Sequence, residues 1–214
     1  MIFKKIFGLL IAILFLPSLW VEAQEHHFTN PQVRVQVTTE TLNISTTGYP
    51  DHKWERVNPN RPSKQNFNFK IPRHPKIASR TTAVPTRGPI TVAVNGVVFS
   101  ALKTGKVKLR WKIMGSIRAG VYHYHCTPGC VYKDAPNQHS PVIGYAFDGF
   151  KIYGLQGKRG RSPKDLDSCN GYKDKGRGLL LPHHRKFPLC AGLLSGYTST
   201  SELRPQPARH QIKE

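Results

Sequence analysis

The chain has 214 residues and a formal net charge of +20, with 38% hydrophobic and 21% charged side chains. After its first 23 residues no apolar run is long enough to cross a bilayer as a helix, and no nucleic-acid motif or basic amphipathic helix accompanies the charge. Those absences exclude a multi-span helical membrane protein and a motif-based reader of nucleic acid.

Residues 1–23 read as a secretion signal. Lys4 and Lys5 form a basic start, Ile6 to Trp20 an apolar stretch, and Val21-Glu22-Ala23 a small-x-small cleavage site. Pro17 interrupts the apolar stretch, which argues against a membrane anchor. The mature protein is therefore expected to work outside the cytoplasm, secreted or periplasmic. About 190 residues remain, enough for one domain with a proper core. Residues 24–44 form an N-terminal extension carrying a strand. Val33 to Thr39 alternates apolar and polar residues, as a half-buried strand does, and Asn66 to Ile71 does the same. The Pro, Asn and Gly-rich stretch between them reads as loop.

Pro89 to Ser100 predicts a hairpin about Asn95-Gly96, the strongest two-residue turn signal. Val121 to His125 and Val142 to Phe147 predict further strands, and Asp148-Gly149 a turn leading into Phe150 to Gly154. No helix-period segment of useful length follows the signal. The expected fold is mainly β: a single sandwich-like or irregular β domain with long loops. Four cysteines, Cys126, Cys130, Cys169 and Cys190, read in an exported chain as two disulfides stapling that domain, or as metal ligands. Cys126 can bridge Cys130 locally, but the sequence leaves the connectivity open. Asn43-Ile44-Ser45 fits the glycosylation acceptor pattern, which matters only in a eukaryotic host.

The chemistry concentrates in Gly120 to Cys130. On a strand, His123 and His125 share one face, and Tyr122 and Tyr124 point to the other, where they can pack inward. Two imidazoles at i, i+2 can chelate a metal ion. His139 and Asp148 are the candidates for a third ligand. Imidazole suits Zn, Cu, Fe or Ni, and an added thiolate favours Zn or Cu(I), so Zn or Cu is the expected cofactor. The competing reading is structural: these histidines hydrogen-bond backbone or carboxylate groups and pin loops to the core. Asp148 likewise has an ordinary reading as an Asx-turn residue.

The blocks GVYHYH, HSPVIGYAFDGFKIYG (His139 to Gly154) and LDSCNG (Leu166 to Gly171) resemble the YHYH domain family. Pro50 to Lys53, Asn66 to Pro72 and the Pro89 hairpin are similar to its upstream pattern. The resemblance places the domain at residues 45–178, with Tyr122, Tyr124 and Gly149 as motif residues. It implies an exported domain and brings no substrate or reaction with it. It also implies a second aromatic-histidine strand, an F-P pair and a Gly-Cys after the Cys-Asn-Gly block. This chain reads GLLLPHHRKFPLCAG there instead. Codons for Leu179 to His183, read one base further on, permit Y-Y-Y-H, and the same frame continues to YYYHTTANFPYVLGCYRG. Residues 179–214 are therefore read as an atypical, out-of-frame tail, in which Cys190 is an accident. A weaker case of the same kind exists at Ala101 to Arg118, which is basic and lacks a clear strand pattern.

Three functions remain open at this stage. One is an exported metal-binding protein using His123 and His125. A second is a metal-dependent hydrolase or oxidoreductase built on that site, although no nucleophile or acid–base pair identifies itself. The third is a cell-surface module for acidic glycans, steered by the positive charge. Much of that charge sits in the two atypical segments: residues 101–118 hold six basic and no acidic side chains, and residues 179–214 five basic and two acidic. A solvated basic surface is the preferred reading of the rest.

Overall fold

The computed structural model describes residues 28–56, 58–77, 88–100, 115–125, 128–167, 171–175 and 177–182. The signal segment, Cys126, Cys169, Cys190 and most of the tail read as out of frame lie outside the described residues.

The protein is mainly β, as expected. A three-stranded antiparallel sheet is built from β1 (Arg34–Val37), β2 (Thr41–Thr46) and β3 (Phe67–Pro72). Eight strands make the larger sheet: β4 (Pro89–Ala93), β5 (Val98–Ser100), β6 (Gly115–Arg118), β7 (Val121–Tyr124), β8 (Val142–Ala146), β9 (Lys151–Tyr153), β10 (Tyr172–Asp174) and β11 (Gly178–Pro182). Their spatial order is β10-β11-β9-β8-β4-β5-β7-β6. Among the described residues the helical content is one short 3-10 turn, Lys158–Gly160.

Period-two alternation decides which side chains are buried. In β2, Leu42 and Ile44 face inward between exposed or half-exposed polar neighbours, and β3 does the same with Phe67, Phe69 and Ile71. These side chains meet Val92, Val98, Tyr145 and Phe147 of the larger sheet and join the two sheets into a sandwich. Ile71 and Val98 are 0% exposed, and burying each such side chain stabilises the fold by roughly 1.5–3 kcal/mol. A second core lies on the other face of the larger sheet, around Phe99, Ile117, Tyr122, Tyr124, Ile143 and Ile152. Among the described residues no third sheet covers it. Trp54, Val131 and Tyr132, which come from long loops, pack there instead.

Two strands differ from the sequence reading. β2 falls in a stretch with only two strongly apolar positions, and it forms because both land on the inner face between β1 and β3. β6 falls in the basic segment that showed no strand pattern. It pairs antiparallel with β7 through a tight turn in which Ala119 (φ 48°) and Gly120 (φ 76°) are both left-handed, the geometry a two-residue hairpin needs. The larger sheet also continues past residue 178, since β11 pairs with both β10 and β9.

The loop between β2 and β3 is stitched over the β6–β7 hairpin. Ser63 N–H donates to the Gly120 carbonyl (2.8 Å), and the Asn58 and Asn60 amides donate to the Ile117 carbonyl (2.9 and 3.0 Å). This stitching brings Asp51, His52 and Trp54 onto the second core. The expected disulfide staple is not supported: Cys130 is an exposed free thiol, and no disulfide occurs among the described residues.

Candidate functional site

Strand β7 sits between β5 and β6, with Val98 opposite His123 on one side and Ser116 on the other. Its alternation splits the Tyr122-to-His125 motif between two faces. His123 shares its face with Val98 and Val121, on the side turned toward the three-stranded sheet. Tyr122 and Tyr124 enter the loop-covered core, as expected for inward-packing tyrosines.

On the first face the His123 and His125 rings meet edge to face, their centroids 4.5 Å apart. Each ring is tied to a backbone group through part of its hydrogen-bonding capacity. His123 Nδ1 lies 3.1 Å from the Val121 carbonyl and donates to it, which leaves Nε2 as the basic nitrogen. The His125 ring hydrogen-bonds the Ser100 backbone, and its Nδ1 is buried with no hydrogen-bond partner. Buried polar atoms ordinarily have partners. Both imidazoles are kept neutral. Burial lowers the His123 pKa and the nearby Arg118 adds to the effect. Burial, then the neighbouring His123, pushes His125 down to about 4. Two neutral imidazoles, each oriented by backbone, are the state in which histidine binds a metal.

His139 and Asp148 do not complete this pair. Among the described residues no group of three or more His, Cys, Asp or Glu side chains is placed to hold a metal ion. His139 donates to the Ser140 carbonyl (2.8 Å) and meets the Tyr153 ring edge-on at 5.0 Å. Its Nε2 is buried without a partner. Asp148 occupies the β8–β9 turn, where its Oδ1 accepts from the Phe150 amide at 3.5 Å, an Asx-type contact.

Asp148 is nonetheless electrostatically unusual. Burial raises its carboxyl from 3.8 to about 6, against the opposing pull of the Phe150 and Asp148 amides. A carboxyl raised in the fold binds its proton more tightly folded than unfolded, so its ionisation costs stability as pH climbs from about 4 through 6. A displacement of this size corresponds to on the order of 3 kcal/mol. Asp148→Asn removes the ionisation while keeping the acceptor oxygen. The variant is expected to be more stable than the parent at about pH 8 and to show no such gain at about pH 3.5. Urea unfolding at both pH values measures this.

The second face holds a polar cluster that the sequence reading missed. Tyr124, 0% exposed, directs its hydroxyl at His52 Nε2 (2.7 Å) and accepts from Asn95 Nδ2 (2.9 Å). The same Asn95 amide donates to Asp51 Oδ1 at 2.8 Å. His52 Nδ1 donates to the Lys53 carbonyl (2.9 Å), and the ring lies stacked on Tyr124 and edge-on to Tyr122. The Cys130 thiol is close enough to influence both His52 and Tyr124. Asn95 therefore closes the β4–β5 turn and also positions Tyr124. The available signal was the Pro50-to-Lys53 block, which carries both Asp51 and His52.

Residues 68–169, from β3 to the approach to β10, match the family model described as YHYH protein. No curated protein and no solved structure matches the chain.

Proposed function

Because residues 68–169 form a YHYH-family domain, we propose that this domain acts outside the cytoplasm as a transition-metal-binding module, with His123 and His125 as its protein ligands. The observation that carries this reading is the adjacent, backbone-oriented imidazole pair with a buried, unpartnered Nδ1 on His125. Imidazole nitrogen favours Zn or Cu over Mg or Ca. Two protein ligands leave coordination positions open to water or to a small ligand, as catalytic sites do and closed structural sites do not. Among the described residues no helix is long and apolar enough to cross a membrane.

Thermal unfolding tests the proposal. A ligand that binds only the folded chain at about 100 times its dissociation constant stabilises it by about 2.7 kcal/mol, or roughly 5–10 °C for a domain of this size. Chelator-treated protein is expected to gain that much with Zn or Cu and nothing with Mg. His125→Ala is expected to abolish the gain. An unchanged midpoint with Zn, Cu and Ni would sink the reading.

A further inference from the structure

We propose that the open positions of the His123–His125 metal pair take a small oxoanion, a carboxylate or a phosphate, held between the ion and the Arg118 guanidinium. The inference rests on the metal reading above and names the class of ligand that the site accepts.

Strand register places the arginine. Across the β6–β7 hairpin Arg118 pairs with Val121, and Ser116 with His123. Residues opposite one another on an antiparallel pair share a face, so Arg118 lies on the face of Val121 and His123, while Ile117 and Tyr122 turn into the second core. Arg118 and His123 are diagonal neighbours on that face, a separation of roughly 7–8 Å that a long side chain spans. The Arg118 charge is close enough to act on the His123 ring. Arg118 is also exposed, at the end of β6 beside the Ala119–Gly120 turn, so a ligand can reach it from solvent.

Charge then selects the ligand. Both imidazoles are held neutral, so a bound Zn or Cu ion keeps its full positive charge, and Arg118 adds to it. Among the described residues no Asp or Glu joins the pair in a group placed to hold a metal ion. His123 is buried, and positive charge beside it is costly unless it is paired. A small anion in an open position offsets that cost. An oxoanion suits the site best: one oxygen meets the ion, and another accepts from the guanidinium fork, whose geometry matches carboxylate and phosphate. A neutral ligand leaves the arginine unused.

The test uses the full chain loaded with Cu(II), whose visible absorption band reports a change of ligand. Acetate and inorganic phosphate are titrated separately, at constant ionic strength, into the parent and into Arg118→Gln. The tighter of the two anions identifies carboxylate or phosphate as the preferred class. Arg118→Gln removes the charge and the fork at an exposed position, so it is expected to fold and to hold at least as much copper as the parent. It is expected to need at least about tenfold more anion for the same band shift, the effect of losing hydrogen bonds between charged partners. A copper-loaded parent blind to both anions, or a variant that responds at the parent's anion concentrations, would overturn the proposal and leave the metal site standing. A parent that takes up no copper would overturn the metal reading and this inference with it, so the two failures are told apart.

Discussion

Tyr124→Ala is expected to lower stability by about 4 kcal/mol, a large part of the 5–15 kcal/mol that typically holds a domain together. Tyr124 is 0% exposed and packs against Phe99 (ring centroids 5.2 Å), Tyr122 (5.7 Å) and His52 (5.9 Å). Truncation leaves a ring-sized cavity in the core around Phe99 and Tyr122. It also removes the hydroxyl that the Asn95 amide and His52 Nε2 both meet. Tyr124→Phe separates the two contributions. It keeps the packing and removes the polar contacts, at about 1–3 kcal/mol. Urea unfolding of the parent and both variants measures the pair. Equal losses for Phe and Ala would show that the hydroxyl network alone matters. A Phe variant as stable as the parent would show that the network contributes nothing.

Gly149→Ala is the second large effect, expected at 3 kcal/mol or more, about the sum of backbone strain and overpacking. Gly149 sits at φ 98°, which a side chain rarely adopts. A Cβ there would lie 2.4 Å from the Pro72 carbonyl oxygen and 3.1 Å from Pro75 Cβ. The first of these is backbone at the end of β3, so it cannot swing aside. The β8–β9 turn would have to withdraw from the small sheet, which would weaken the Phe69–Phe147 stack at 4.7 Å. Denaturant midpoints measure the loss, and a change below about 1 kcal/mol would contradict this account of the turn.

The physical origin of each feature decided how much of it was legible in the sequence. The β4–β5 hairpin and the β8–β9 turn were readable because Asn95-Gly96 and Asp148-Gly149 encode them locally. The placement of His123 and His125 against Tyr122 and Tyr124 followed from strand alternation alone. β2 was missed because its alternation rests on Leu42 and Ile44, and its burial depends on strands before and after it in the chain. The second face of the motif was missed for a stronger reason. His52 and Tyr124 are 72 residues apart, and Asn95 reaches Asp51 across 44. No local pattern announces contacts between a loop and a distant strand. Counting cysteines likewise suggested disulfides, whereas Cys130 is a free, exposed thiol.

The two faces of β7 carry separate side-chain clusters. On one, burial holds a histidine pair neutral. On the other, a buried tyrosine meets a loop histidine and the Asn95 amide. Variants on one face are therefore expected to leave the other intact, because residues without shared partners act nearly independently.

Equilibrium dialysis against Zn and Cu, followed by metal analysis, tests the central claim most directly. The parent chain is expected to retain one ion per molecule after exhaustive dialysis. The double variant His123→Ala, His125→Ala is expected to retain none while still unfolding cooperatively. A parent that emerges metal-free, or a double variant that holds as much metal as the parent, would contradict the assignment of this pair as the metal site.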